Sequence, residues 1–294
     1  MGFDTAYEAI AEESGDQRWA FGTGFSSPLA GVDTTVPDGV AGTDLAAYCL
    51  MLGDDALIMS HRLQEWLARA PELEEETALA NIALDLLGQA RLLLARAGHA
   101  DGSGRGEDDY AFGRGAREFR NVTLTEVTDA DFGGLIARLL VFSTWRLALL
   151  DRLRSARDPV LAAVAAKGVK EVAYHRDYAA QWLLRLAGGT EYSRGRLVAG
   201  LAAVAPLTEE LFNCTEPERR LIAAQAAVEP ASFRAEYDAV IASILEMAGL
   251  AWPDSPGVPG VAGQCGRDGV HTEAMEPLVA ELQSVARAYP GATW

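Results

Sequence analysis

The stretch DPVLAAVAAKGVKEVAYHRDYAAQWLLRLAGG, residues 158–189, decides the fold class. Its apolar residues recur three and four apart, the period of an amphipathic helix and not of a strand. Asp158 followed by Pro159 reads as an N-cap and first-turn pair, because a carboxylate accepts from the free amides of the first turn and proline has no amide to lose there. Gly188 and Gly189 supply the stop. The spacing therefore predicts one long helix between these two signals.

The same period extends outward in both directions. A helix is expected over 131–156, with Leu135, Leu139, Phe142, Leu149 and Leu153 on one stripe. Another is expected over 44–68, and a fourth begins after Pro71 and runs to about Gly98, with Glu72, Glu74, Glu75 and Glu76 crowding the end where the helix dipole favours negative charge. Between the helix that ends at about Gly98 and the one over 131–156 lie a glycine-dense stretch, HADGSGRGEDD at 99–109, and a mixed one, YAFGRGAREFRNVTLTEVT at 110–128, read as a short helix followed by an irregular crossing segment. Two hairpins of long helices joined by one long crossover suit several bundle topologies, the ferritin-like four-helix bundle among them.

Accessory helices are expected over 195–212, over 215–227 with a Thr215-x-x-Glu218 capping box, over 232–248 closed by Gly249, and over 272–288 after a Pro/Gly loop at 252–269. Strand signals are nearly absent. The expectation is an all-α chain: an extended N-terminal arm at 1–43, then a ferritin-like helical domain at 44–294, its core bundle at about 44–188 and its accessory helices at about 195–288. Trp19, Phe21, Phe25 and Leu29 suggest that the arm lies along a surface.

Composition sets limits on function. The 294 residues are 49% hydrophobic and 23% charged, which suits a folded chain in water. The net charge of −17 offers no electrostatic footprint for nucleic acid and argues against a broad docking surface for anionic membranes. Cys49, Cys214 and Cys265 are too few and too scattered for a disulfide framework or a zinc ribbon. The first thirty residues carry Asp4, Glu8, Glu12, Glu13 and Asp16 and no apolar core of a signal peptide, and no apolar run is read as approaching the roughly 18–20 residues of a membrane span. A reduced, soluble, cytoplasmic protein is the expectation.

A ferritin-like bundle is the usual scaffold of a di-iron carboxylate centre, which takes a carboxylate from each of two helices and a Glu-x-x-His pair from each of the other two. No Glu-x-x-His occurs in this chain. Asp55 is available on the first helix and Asp85 on the second, but Gly88 stands where the histidine partner of Asp85 should be. The third helix offers Ser143, and on the fourth Val172 precedes His175 by three. The ligand positions Asp55, Asp85, Gly88, Ser143, Val172 and His175 thus read as vestigial, with no metal and no catalytic residue assigned. The buried carboxylates would be satisfied by a polar core drawn from Asn81, Ser143, His175, Glu171 and Lys167. His61, His99 and His271 read as surface or capping histidines. Walker loops, Gly-x-Ser-x-Gly and dinucleotide fingerprints are missing. Trp66, Trp145, Trp182 and Tyr178 fall at helical spacing and read as core.

Several ordered blocks, LGDDAL at 52–57, LQEW at 63–66, APELE at 70–74, ALANIALDLLGQAR at 78–91, REFRN at 117–121, KEVAYH at 170–175, HTE at 271–273 and YPGATW at 289–294, resemble the C-subunit family of the bacterial phenylacetyl-CoA ring 1,2-epoxidases, from Asp44 to Trp294. The resemblance implies a non-catalytic, ferritin-like structural subunit of a multicomponent monooxygenase in aerobic phenylacetate breakdown. It also implies partners: a sister ferritin-like subunit that carries the di-iron centre and binds the substrate, smaller subunits, and a reductase with flavin and iron–sulfur groups. No cofactor is assigned to this chain, and self-association stays open. Two alternatives remain at this point, a metalloenzyme with a degenerate centre at Asp55, Asp85, Glu171 and His175, and a helical scaffold unrelated to oxygenation.

Overall fold

The computed structural model describes residues 28–29, 32–254 and 264–290. Among them are eleven α-helices and no strands, an all-α, ferritin-like fold. Four long helices form the bundle: α1 (Gly42–Gln64), α2 (Leu73–Ala100), α5 (Phe132–Leu153) and α6 (Pro159–Gly188). The crossover between the two hairpins carries two short helices, α3 (Glu107–Phe112) and α4 (Thr123–Glu126). The accessory set is α7 (Glu191–Val204), α8 (Glu216–Ala223), α9 (Arg234–Met247), α10 (Met275–Leu282) and α11 (Ser284–Ala288).

The termini of α6 follow the sequence signals. The Asp158 side chain accepts from the Leu161 amide at 2.9 Å, and Pro159 occupies the first turn. Asp158 is itself fully buried and accepts from the buried Arg96 of α2, whose Nη2 lies 2.5 Å from Oδ2. One carboxylate therefore caps α6 and fastens it to the other hairpin. Arg96 also donates to the Thr34 carbonyl at 2.6 Å, which ties down the chain just before α1. Residues 1–27 of the expected arm, with Trp19, Phe21 and Phe25, lie outside the described residues, whereas Leu29 is buried.

Helices α2 and α6 run antiparallel, as two matched rungs show: Asp85 faces His175, and Gln89 faces Glu171 four residues on. Gly168 lets the bundle close at the next turn. A Cβ there would stand 2.9 Å from Leu150 Cδ1 of α5 and 3.3 Å from Gln89 Cδ, so a larger residue would push three helices apart. Gly200 of α7 does the same on the outer side, where a Cβ would lie 2.7 Å from Gly134 Cα at the start of α5.

The crossover is pinned by two adjacent carboxylates. Consecutive side chains of a helix point about 100° apart, so Asp54 and Asp55 of α1 hold two different points of the crossing segment. Asp54 accepts from Arg114 in a two-pronged contact and from the Arg120 amide at 2.8 Å. Asp55 accepts from the Val122 amide at 2.8 Å.

Three expectations need correction. The helix expected over 195–212 is α7 followed by 3-10 turns, because Pro206 has no amide with which to continue the α pattern. The helix expected over 272–288 is two helices, α10 and α11. The buried Gln283 at their junction turns inward and donates to the carbonyls of Ala111 at 2.9 Å and Arg114 at 2.8 Å. Finally, α2 and α5 are each long and apolar enough, by length and composition alone, to cross a membrane. Their apolar windows are 50% and 94% buried inside the protein, so bundle packing accounts for nearly all of the apolarity of α5 and for half of that of α2. A search for unbroken apolar sequence passes over α5 because it contains Arg138 and Arg146, both buried and paired.

Two measurements test this account. Replacing Arg96 with Met strands the buried Asp158 carboxylate and is expected to cost about 3–5 kcal/mol in urea unfolding, with Arg96→Met/Asp158→Asn recovering part of the loss. At the other end, the Arg220 guanidinium of α8 holds the Asp44 carboxyl of α1 below its ordinary range. A depressed folded-state pKa adds stability above the ordinary carboxylate range and loses it as pH falls through the depressed value. Asp44→Asn should therefore lower the melting midpoint at pH 7 and leave it unchanged once Asp44 is protonated in both states.

Candidate functional site: the polar interior of the bundle

The four helices direct a set of polar side chains inward: Asp54 and Asp55 from α1, Asp85 and Gln89 from α2, Ser143 and Arg146 from α5, Glu171 and His175 from α6. The i, i+4 spacing of Asp85 with Gln89, and of Glu171 with His175, puts each pair on one helix face and produces the two rungs. His175 is buried, and its Nε2 lies 3.0 Å from Asp85 Oδ2, whose side chain is 37% exposed. This pair therefore sits at the edge of the interior.

Arg146 occupies the centre. Its Nε donates to Gln89 Oε1 at 2.9 Å and its terminal nitrogens donate to the Leu52 carbonyl at 3.3 and 3.4 Å. Gln89 passes the contact on, donating from Nε2 to Glu171 Oε2 at 2.9 Å. Burial lowers the Arg146 pKa to about 10 against the opposing pull of Asp55, so the guanidinium is still charged at neutral pH. Asp55 is fully buried and holds a two-pronged ion pair with Arg267, at 3.0 and 2.8 Å. Arg267 comes from the 3-10 turn Gly266–Asp268, far along the chain, and also donates to the carbonyls of Met51 at 3.0 Å and Arg120 at 2.7 Å. Burial pushes the neighbouring Asp54 carboxyl above its ordinary range, opposed by the Arg114 guanidinium.

The other sequence candidates divide. Ser143 is buried but bonds back to its own helix, donating to the Leu139 carbonyl at 2.6 Å. Val172 is buried and apolar. Gly88 has open space where a Cβ would stand. Asn81 is exposed and is no part of the polar core, because its place on α2 faces outward. Lys167 is corrected likewise: its side chain is 70% exposed and reaches Glu171 only from outside, at 3.4 Å. The arginines Arg146 and Arg267 do what Asn81, Ser143 and Lys167 were expected to do.

Sequence reasoning also missed a buried histidine. His271 Nε2 lies 3.1 Å from the Phe119 carbonyl, which only accepts, so Nε2 carries a proton; Nδ1 lies 2.6 Å from Glu126 Oε2. Glu126 further accepts from the Thr272 amide at 2.5 Å and from Asn121 at 2.9 Å. The contact closes the C-terminal loop onto the crossover. Nothing local in the sequence marks it, since Glu126 and His271 are 145 residues apart. His99 is exposed, and His61 is half-buried beside a cleft between α1 and α10.

The two-metal centre that this scaffold usually carries needs a full donor set. Of the six positions, Gly88 and Val172 bring no donor, Ser143 is committed to Leu139, and Asp55 is held by Arg267. Asp85 and His175 face each other. Among the described residues no group of three or more His, Cys, Asp or Glu side chains could hold a metal ion. The residues present do not fit a di-iron centre. Replacing Arg146 with Met should leave the buried Gln89 Oε1 without its donor and cost about 2–4 kcal/mol in denaturant unfolding, with helix content retained.

Comparison with known proteins places the chain in a family. The chain is 40% identical over 250 residues to the C subunit of 1,2-phenylacetyl-CoA epoxidase from Escherichia coli (strain K12), a match that covers 85% of this chain and 99% of that protein. The sequence pattern described as phenylacetic acid catabolic protein matches residues 32–294, beginning upstream of Asp44 within the segment read as an arm. The chain thus belongs to the phenylacetic acid catabolic protein family.

Proposed function

We propose that this chain is a non-catalytic structural subunit of a multicomponent phenylacetyl-CoA ring 1,2-epoxidase. The observation that carries the reading is the charge of the interior. Where a di-iron protein keeps carboxylates for its metals, this bundle keeps the guanidinium of Arg146, and Arg267 neutralises Asp55. A metal centre there would have to displace one fixed positive charge and break an ion pair that also holds the crossover. Asp55, Asp85, Gly88, Ser143, Val172 and His175 are accordingly vestigial ligand positions, and the bundle is retained for its shape. The likeness to the C subunit of an epoxidase supports the assignment to phenylacetate catabolism.

In this reading the chemistry lies in a partner, a ferritin-like subunit with the di-iron centre that binds phenylacetyl-CoA. Electrons come from a reductase with flavin and iron–sulfur groups, and smaller subunits complete the assembly in the cytoplasm. This chain's contribution is mechanical: a bundle locked by buried ion pairs gives the catalytic bundle a rigid surface to pack on, and ligand helices need such support to hold metal geometry.

Elemental analysis of the chain purified alone from iron-replete cells should find iron well below one per chain. Stoichiometric iron would overturn the reading. The catalytic subunit expressed without this chain should be insoluble or inactive, and soluble and active when the two are co-expressed. Full activity of the catalytic subunit alone would remove the structural role.

A further inference from the structure

A second feature lies outside the bundle interior, in a cleft of about 460 Å³ between α1, α2, α3 and α10. That volume is within the range of small-molecule sites. The apolar part of its wall comes from Leu57 of α1, Leu87 and Leu94 of α2, Phe112 of α3 and Leu282 of α10. Two polar atoms on this wall are buried without a hydrogen-bond partner, Nε2 of His61 and Oε2 of Glu107. The other Glu107 oxygen is held by Arg91 Nε at 2.7 Å, which leaves Oε2 as a fixed, unused acceptor. Buried polar atoms are paired as a rule, and two orphans on one cleft mark a place where something else supplies the partner.

The charges define what that partner is. Glu107, Asp108 and Glu281 line the cleft against the single guanidinium of Arg91. Burial lowers the His61 pKa, although Glu281 and Glu65 pull the other way, so the imidazole is neutral at neutral pH and Nε2 can serve as a second acceptor. Two acceptors in an acidic lining repel an anion and favour a donor group that also carries positive charge. A primary ammonium has three donors and the complementary charge.

We propose that this cleft binds a small molecule made of a protonated amine on an apolar body, the ammonium between His61 Nε2 and Glu107 Oε2 and the body against Leu57, Leu87, Leu94 and Phe112. The site is independent of the vestigial metal positions and of the structural role.

Isothermal titration of the full-length chain, in the complex in which it is recovered, would use 2-phenylethylamine, with 2-phenylethanol and 3-phenylpropionate as neutral and anionic controls of similar shape. The amine should saturate with a Kd on the order of 0.1–1 mM, the alcohol should bind more weakly, and the anion should not bind. Glu107→Gln keeps the shape at the start of α3 and should weaken the amine about tenfold. Ala111→Met, which narrows the cleft one turn along α3 from Glu107, should abolish binding while circular dichroism and the melting midpoint report an intact fold. No saturation by the amine, equal affinity for the anion, or unchanged affinity in both variants overturns the assignment.

Discussion

A guanidinium buried in a helical bundle carries five N–H donors and a charge that it cannot shed at neutral pH, so the surrounding helices must be built to receive it. Arg146 imposes that constraint here. Its acceptors come from α2 through Gln89 and from α1 through the Leu52 carbonyl, and Gln89 in turn reaches Glu171 of α6. A shift of any of these helices by one turn would leave a buried donor or acceptor unpaired, at a cost comparable to a sizeable share of a domain's net stability. The interior therefore fixes the register of the whole bundle, and the apolar stripes fill in around it.

The same device recurs at the bundle's margins. Arg96 joins α2 to the cap of α6, Arg138 joins α5 to Asp129 before it and to the Thr125 carbonyl of α4, and Arg267 brings the C-terminal loop to α1. Lys167 and Lys170 are the only lysines among 25 cationic side chains, and both lie exposed on α6. The preference follows from shape: a planar guanidinium can meet a carboxylate with two parallel bonds and still reach a carbonyl, whereas an ammonium is a strongly hydrated point charge. A chain with a net charge of −17 thus keeps cations inside as its fasteners.

This interior connects fold to function. Bundles of this type owe their use in oxygen chemistry to carboxylates held at the centre by four helices. With a guanidinium at the centre the helices no longer need a metal to be held in place, because the charge is already supplied by the chain and neutralised by it. Rigidity of this kind is what the proposed supporting role requires. The exposed side of α2, with Leu73 and Leu84 outward, shows that not all apolar surface is used within the chain.

The sequence by itself determined the local elements: the α6 cap at Asp158 and Pro159, the Thr215–Glu218 capping box, the stop at Gly249, the two hairpins and the crossover. Those signals act over one or two turns, so they survive in the linear order of residues. It also showed that Gly88 and Val172 lack ligand atoms, since a residue type is visible without a structure. Only the tertiary structure decided which charges meet. Asp55 and Arg267 are 212 positions apart, and Glu126 and His271 are 145 apart, pairings that local period and propensity do not carry. Nothing in the local sequence marks Arg146 as buried, because burial of a charge depends on what the other helices offer it and not on its neighbours in the chain.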